Sequence, residues 1–235
     1  MQEPMIRLDH VKKSFGPKVI YSDLCLEVFE GETHAIIGRS GEGKSVLLKI
    51  ISGLMTPDEG EVLVDGVHLD LCDRKTLKHV RERVTMVFQM GALFDSLSVR
   101  DNVGFYLDQH RTKPREEVDQ LCEHLLNEVN LPNTSHLLPA ELSGGMKKRV
   151  GLARALAVDP KIILYDEPTT GLDPVTTDVI GDLIAQTSRR HDVTSIVVTH
   201  DMTSAYKVSD RVSMLYEGQI IFTGTPEEIK SSDDA

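Results

Sequence analysis

Two hydrophobic rhythms divide the chain. Near its start, apolar side chains fall at alternate positions, Ile6 and Leu8, then Leu24, Leu26 and Val28, with polar or mixed residues between them, the spacing of half-buried strands. Glu61 to Val64 and Val67 to Leu69 flank Asp65-Gly66, a dipeptide that favours a tight hairpin because glycine tolerates positive φ. These segments predict an antiparallel patch. Ala35 to Ile37, Thr85 to Phe88, Ile162 to Tyr165, Ser195 to Val198 and Val212 to Leu215 are instead short apolar runs, of the kind a parallel sheet buries on both faces.

Helical spacing separates several of these runs. After Pro114, which suits a first helical turn, Val118, Leu121, Cys122, Leu125, Leu126 and Val129 follow the 3.6-residue period, while Glu116, Glu117, Asp119, Glu123 and Glu128 mostly take the other side. The neighbourhood from about Gly91 to Arg149 offers no convincing strand, so it predicts a helical insertion between two strands of the main sheet. The expected fold is α/β with two appendages, an antiparallel β part and a helical part, in one unit spanning residues 1–235.

Composition narrows the function. The chain has 235 residues, with 26 Lys plus Arg against 37 Asp plus Glu, a formal net charge of −11, which argues against nucleic acid as the main partner. Cys25, Cys72 and Cys122 lie far apart with no CxxC pair, which predicts buried or idle thiols in a reducing compartment. Met1 to Leu8 is polar and broken by Pro4, unlike a secretory signal. No apolar run approaches the ~20 residues that span a bilayer, so a membrane role is expected to come through a partner. Ser231 to Ala235 reads as a frayed tail.

The sharpest chemical signal is Gly38-Arg39-Ser40-Gly41-Glu42-Gly43-Lys44-Ser45, followed by Val46. It fits GxxxxGK[ST] and sits between a predicted strand and a helix starting near Lys44. The glycines let backbone N–H groups turn inward around phosphates, and the helix N-terminus adds partial positive charge. Lys44 is expected to reach the β and γ phosphates and Ser45 to ligate Mg²⁺. Ile162-Ile163-Leu164-Tyr165-Asp166-Glu167 is an apolar strand ending in two acids. Asp166 there would hold the ion, and Glu167 would polarise the attacking water as general base. Alone, such a pair is more often a solvated strand end; the phosphate loop reverses those odds.

Leu142-Ser143-Gly144-Gly145-Met146-Lys147-Lys148-Arg149 precedes an apolar helical stretch with Val150, Ala153 and Leu156. With this segment the sequence resembles the ATP-binding cassette ATPases, and further elements fall in the family's order: Gln89 after the strand Thr85 to Phe88, Gly171-Leu172-Asp173-Pro174 after the acids, and His200 closing the strand from Ser195. The resemblance spans nearly the whole chain and implies a P-loop, RecA-like core.

It also implies roles. Leu142 to Met146 would face the γ-phosphate held by a second copy of the chain, so that two ATP molecules are sandwiched head to tail. Ser143 is equally suited to cap its helix. Asp173 would belong to the loop between the half-sites, His200 would contact the γ-phosphate and position water, and Gln89 would ligate Mg²⁺ and sense a transmembrane partner. Phe15 stands where these ATPases stack an aromatic on adenine; core packing is its alternative. His10, His34, His68, His79, His110, His124, His136 and His191 show no ligand spacing.

Met146 departs from the commoner family Gln and lacks its amide hydrogen bond. The signature segment together with Phe88-Gln89-Met90-Gly91-Ala92-Leu93-Phe94-Asp95-Ser96-Leu97 resembles the Mla/Mce branch, whose permeases move phospholipids or related lipids between bacterial membranes. The partners this implies are integral permease subunits, an Mce-domain protein and a small STAS-domain regulator, with the chain peripheral on the cytoplasmic face of the inner membrane. The short stretch after Pro226 to Lys230 is read as leaving no room for a regulatory domain, which is therefore not expected. Two other classes share the core motifs: division-type ATPases that signal across the membrane without a substrate, and ATPases of other importers. A DNA-repair ATPase would need a long coiled coil or zinc module between Gly38 and Ser143, which this sequence does not provide.

Overall fold

The computed structural model describes residues 3–70 and 73–231. Its elements run, in order, β1 (Ile6–Phe15), β2 (Lys18–Val28), β3 (Thr33–Ile37), α1 (Lys44–Ile51), β4 (Glu59–Val64), β5 (Val67–His68), α2 (Arg74–Arg83), β6 (Val84–Val87), α3 (Val99–His110), α4 (Arg115–Glu128), α5 (Gly144–Leu156), β7 (Ile162–Asp166), α6 (Pro174–His191), β8 (Thr194–Thr199), α7 (Met202–Val208), β9 (Arg211–Tyr216), β10 (Gln219–Gly224) and α8 (Pro226–Ser231).

One sheet has the order β2-β1-β4-β5 and the other β10-β9-β3-β8-β7-β6. The first is the antiparallel patch: Ile6 pairs with Val28 and with Val64. Asp65 and Gly66 both take positive φ at the β4–β5 turn, as a two-residue hairpin turn with both central residues left-handed requires. In the second sheet, β3 pairs parallel with β8 and β9, β7 with β8, and β6 with β7. β10 closes one edge antiparallel to β9.

Strand alternation divides the core. Ile36, Ile162, Leu164, Ile196 and Val198 pack on one side with α1 and the antiparallel sheet, while Ile163, Tyr165 and Val197 pack on the other against the helices. Both faces are covered, which is why these strands read as continuous apolar runs.

The helices α3, α4 and α5 lie between β6 and β7, and α5 runs to Leu156, past the expected boundary near Arg149. Val118, Cys122, Leu125 and Leu126 of α4 are buried, in one cluster with Val99, Val103 and Leu107 of α3. Pro114 lies just outside the helix, at its cap position, rather than in the first turn. Three other expectations shift. β6 ends at Val87, so Gln89 stands two residues beyond the strand. Cys25 is exposed, where its thiol accepts from His10 N–H at 3.3 Å, while Cys122 is buried; Cys72 and residues 232–235 lie outside the described residues. At the surface, ligand atoms of Asp9, His10 and Cys25 come within 4.8 Å of one another, a grouping the spacing of histidines did not predict. Among the described residues no helix is long and apolar enough to cross a membrane.

Candidate nucleotide site

Because β3, β6, β7 and β8 run parallel, their carboxyl ends share one edge, where open α/β sheets take ligands. Ile37 stands opposite Thr199, and Asp166 opposite Val198. The turn after β3, the acids ending β7 and His200 after β8 therefore converge. Ser40, Gly41, Gly43, Lys44, Ser45, Val46, Gln89, Glu167 and His200 line a cavity of about 430 Å³, together with Lys18, Ile20 and Thr170.

The loop between β3 and α1 has the shape of a phosphate cradle. Gly41 and Gly43 take φ of 88° and 101°, a region that disfavours side chains. A Cβ on Gly43 would also sit 2.6 Å from Ile20 Cγ2. Buried Tyr21 fixes the same point, its hydroxyl donating to Gly43 O at 2.5 Å. Lys44 Nζ donates to Gly38 O (2.7 Å) and Arg39 O (3.1 Å). Arg39 and Glu42 turn outward: the guanidinium lies 5.8 Å from the Tyr216 ring centroid, and Glu42 accepts from Glu217 N–H at 2.9 Å. Gly38 and Arg39 line a neighbouring, more apolar cavity with Met202 and Ile221 rather than the cradle.

Ser45 Oγ donates to Asp166 Oδ1 at 2.9 Å. Burial pushes the Asp166 carboxyl above its ordinary value; Glu167's charge adds to this, and the Ser45 hydrogen bond opposes it. Two oxygens about 2.9 Å apart match neighbouring corners of an octahedron with bonds of roughly 2.0–2.1 Å. A hydroxyl, a carboxylate and the nearby Gln89 amide form an all-oxygen donor set, so these residues fit Mg²⁺.

Glu167 is poised beside the cradle. It takes φ of 49°, uncommon for a side-chain-bearing residue, and its N–H donates to Val198 O at 2.9 Å. Its Oε2 accepts from His200 Nδ1 at 2.8 Å and from Thr170 Oγ1 at 2.9 Å, and its Oε1 lies 3.5 Å from Lys44 Nζ. A carboxylate held by two hydrogen-bond donors and a nearby ammonium on the edge of a cavity has the position of a base for a water placed within it.

The segment Leu142 to Met146 does not line this cavity. Ser143 caps α5, its Oγ accepting from Met146 N–H at 3.2 Å. Asp173 caps α6, and hydrogen bonds from the Thr176 hydroxyl and N–H hold its carboxyl below the usual range. Phe15 is 47% exposed, which excludes the core-packing alternative; it pairs across the β1–β2 turn with Lys18, a cavity-lining residue. Sequence reasoning missed Lys18, Tyr21 and Thr170. Only the third carried a signal, its closeness to the acidic pair.

A phosphate cradle, a paired hydroxyl and carboxylate and a braced glutamate on one sheet edge define a P-loop ATPase cassette. The family model described as ABC transporter matches residues 21–170, and the chain belongs to the ABC transporter family. It is 39% identical over 234 residues to the intermembrane phospholipid transport system ATP-binding protein MlaF of Haemophilus influenzae, covering 100% of this chain and 89% of that one. It is 40% identical over 229 residues to the probable ribonucleotide transport ATP-binding protein mkl of Mycobacterium leprae, covering 97% of this chain and 66% of that one. Among solved structures, the dimeric ATP-binding cassette MJ0796 in a post-hydrolysis state with ADP and Pi superposes with a TM-score of 0.85 at 33% identity, covering 94% of this chain and 99% of that one.

Proposed function

We propose that this ATPase powers movement of phospholipid or a related lipid between membranes through a separate permease of the Mla/Mce type. The similarity to MlaF over the whole chain carries this reading. The site residues take the following parts. The loop from Ser40 to Val46 cradles the phosphates of ATP, with Lys44 on the β and γ groups. Ser45, Asp166 and Gln89 would hold Mg²⁺, which would neutralise developing phosphate charge when bound. Glu167 takes a proton from the attacking water, and His200 orients Glu167 through their hydrogen bond and contacts the γ-phosphate. Phe15 stacks on adenine.

Two copies pair head to tail, so that Leu142 to Met146 of one chain, with Ser143, Gly144 and Gly145 foremost, face the ATP of the other, and Asp173 lies between the half-sites. Placement of the signature segment away from its own cavity supports this arrangement. Hydrolysis opens the pair, and the stroke leaves through the Gln89 to Leu97 segment. There Met90 and Phe94 are exposed, an apolar feature that a short permease helix would cover. The chain then sits on the cytoplasmic face of the inner membrane, held by permease subunits, with an Mce-domain protein and a small STAS-domain regulator in the same assembly.

The similarity to mkl, which is named for ribonucleotide transport, supports a second reading, the ATPase of another ABC transporter such as an importer. A membrane pull-down with the Glu167→Gln protein, followed by mass spectrometry of bound proteins and lipids, separates the two. Permease, Mce-domain protein and phospholipid together support the lipid reading. A solute-binding protein without lipid favours the importer, and a division-type membrane protein without lipid moves the function to signalling.

A further inference from the structure

We propose that Lys148 is a positioning residue that ties the signature helix to the loop following Glu167, coupling the half-site a chain completes on its partner to the glutamate it uses itself. The proposal rests on the head-to-tail reading above. Lys148 lies on α5, just past one turn from Ser143, and is 6% exposed. Burying an ammonium is costly unless it is well bonded. Its Nζ donates to Pro168 O and to Thr170 O, each at 2.8 Å. Both carbonyls belong to the loop leaving Glu167, and the Thr170 hydroxyl donates to Glu167 Oε2 at 2.9 Å.

The first turn of α5 grips the same loop from another side. A Cβ on Gly145 would lie 2.5 Å from Thr176 Cγ2, and one on Gly144 would lie 3.8 Å from Leu172 Cδ2. The helix start is therefore flush with the beginning of α6, and close-packed parts of this kind move together rather than deform. A shift of Ser143 onto a neighbour's phosphate carries Lys148, and with it the backbone that holds Thr170 against Glu167. Burial lowers the Lys148 ammonium below its ordinary value while the charge of Glu167 opposes that shift, so the two groups also feel one another electrostatically.

Lys148→Met keeps the aliphatic stem and removes both donations, while Lys148→Gln keeps an N–H donor. ATP turnover by the full chain, alone and with its co-purified membrane subunits, is measured against ATP concentration, alongside nucleotide binding and thermal melting. Lys148→Met is expected to lower kcat about tenfold and bring the Hill coefficient to about 1, with ATP affinity changed less than about twofold. Lys148→Gln is expected to recover turnover towards the parent. Unchanged kcat and Hill coefficient in Lys148→Met overturn the proposal, as does a loss of affinity that accounts for the whole loss of rate. Loss of the cooperative melt in both variants makes Lys148 a folding element and overturns it too. The head-to-tail reading is checked separately, by the mass of Glu167→Gln with Mg²⁺ and ATP: a monomer defeats that reading and the coupling with it, whereas a dimer with an unaffected Lys148→Met defeats the coupling alone.

Discussion

Lys44 Nζ lies 3.5 Å from Glu167 Oε1, and the two side chains are almost entirely shielded from solvent. The lysine's hydrogen bonds go to two neutral carbonyls, those of Gly38 and Arg39. A phosphate entering the cradle is a stronger acceptor than either, because its negative charge adds a Coulomb attraction to the ammonium that a neutral carbonyl lacks. Lys44→Ala removes that exchange and also leaves Glu167 without its cation. Loss of a charge-assisted bond of roughly 1.5–3 kcal/mol should weaken ATP binding about 10–150-fold. Titration with a fluorescent ATP analogue measures it, and retained affinity would count against the cradle.

Glu167→Gln tests the other end of this pair. Glutamine keeps hydrogen-bonding capacity towards His200 and Thr170 but cannot take a proton from water. Turnover should fall by about 10²–10⁴ while ATP binding persists. Phosphate release in steady state reads the first and equilibrium binding the second; wild-type turnover would remove Glu167 from the chemistry.

The reach of the sequence followed physical signal strength. Runs such as Ile162 to Tyr165 are apolar because both sheet faces are covered, so they announced the parallel sheet, and the phosphate loop announced itself because glycine at positive φ has few substitutes. Two elements gave no such signal. α2 is almost wholly polar, with Val80 its buried residue, and depends on Asp73 accepting from Lys75 and Thr76 N–H. β10 carries Ile220, Ile221 and Phe222 in succession at a sheet edge, leaving Ile221 half in water, which erases the alternation. Within the site, Lys18 and Tyr21 come from a distant part of the chain; their roles exist only once β1–β2 has packed, and nothing in their local spacing marks them. Lys148 lies inside the signature segment, but its bonds to the loop after Glu167 exist only once α5 has packed.

A buried polar network at the opposite end of β3 sets an acid limit on stability. Burial alone would raise the Glu32 carboxyl, but hydrogen bonds from His34 and Phe29 N–H, with the charges of His34 and Arg211, hold it below its ordinary value. His34 Nδ1 lies 3.1 Å from Glu32 Oε1, and its Nε2 lies 2.8 Å from Ser213 Oγ. A carboxyl whose folded pKa is lowered contributes stability above its unfolded pKa of about 4.3 and loses it as pH falls through the folded value. Glu32→Gln should therefore lower Tm at pH 7, and the difference from wild type should shrink below about pH 4. Melting curves across that range check it; a constant difference would mean the carboxylate charge is not what holds the network.

Under the proposed reading, Phe94→Ala is the variant expected to separate ATP turnover from coupling to a permease. Phe94 is 45% exposed, its ring centroid is 4.5 Å from that of Phe105, and its backbone N–H and C=O are both bonded to Asn102, at 2.8 and 3.1 Å. The backbone is therefore set by buried Asn102 and not by the ring, so Phe94→Ala should leave the segment's course intact. It should remove one apolar surface from the place where the permease is expected to bear, worth about 1.5–3 kcal/mol if fully covered there. ATP turnover of the isolated chain should stay within about twofold of wild type, while co-purification with membrane subunits and lipid movement should fall together. Equal loss of basal turnover would instead place the ring in the core of the helical part, where Leu93 is already packed.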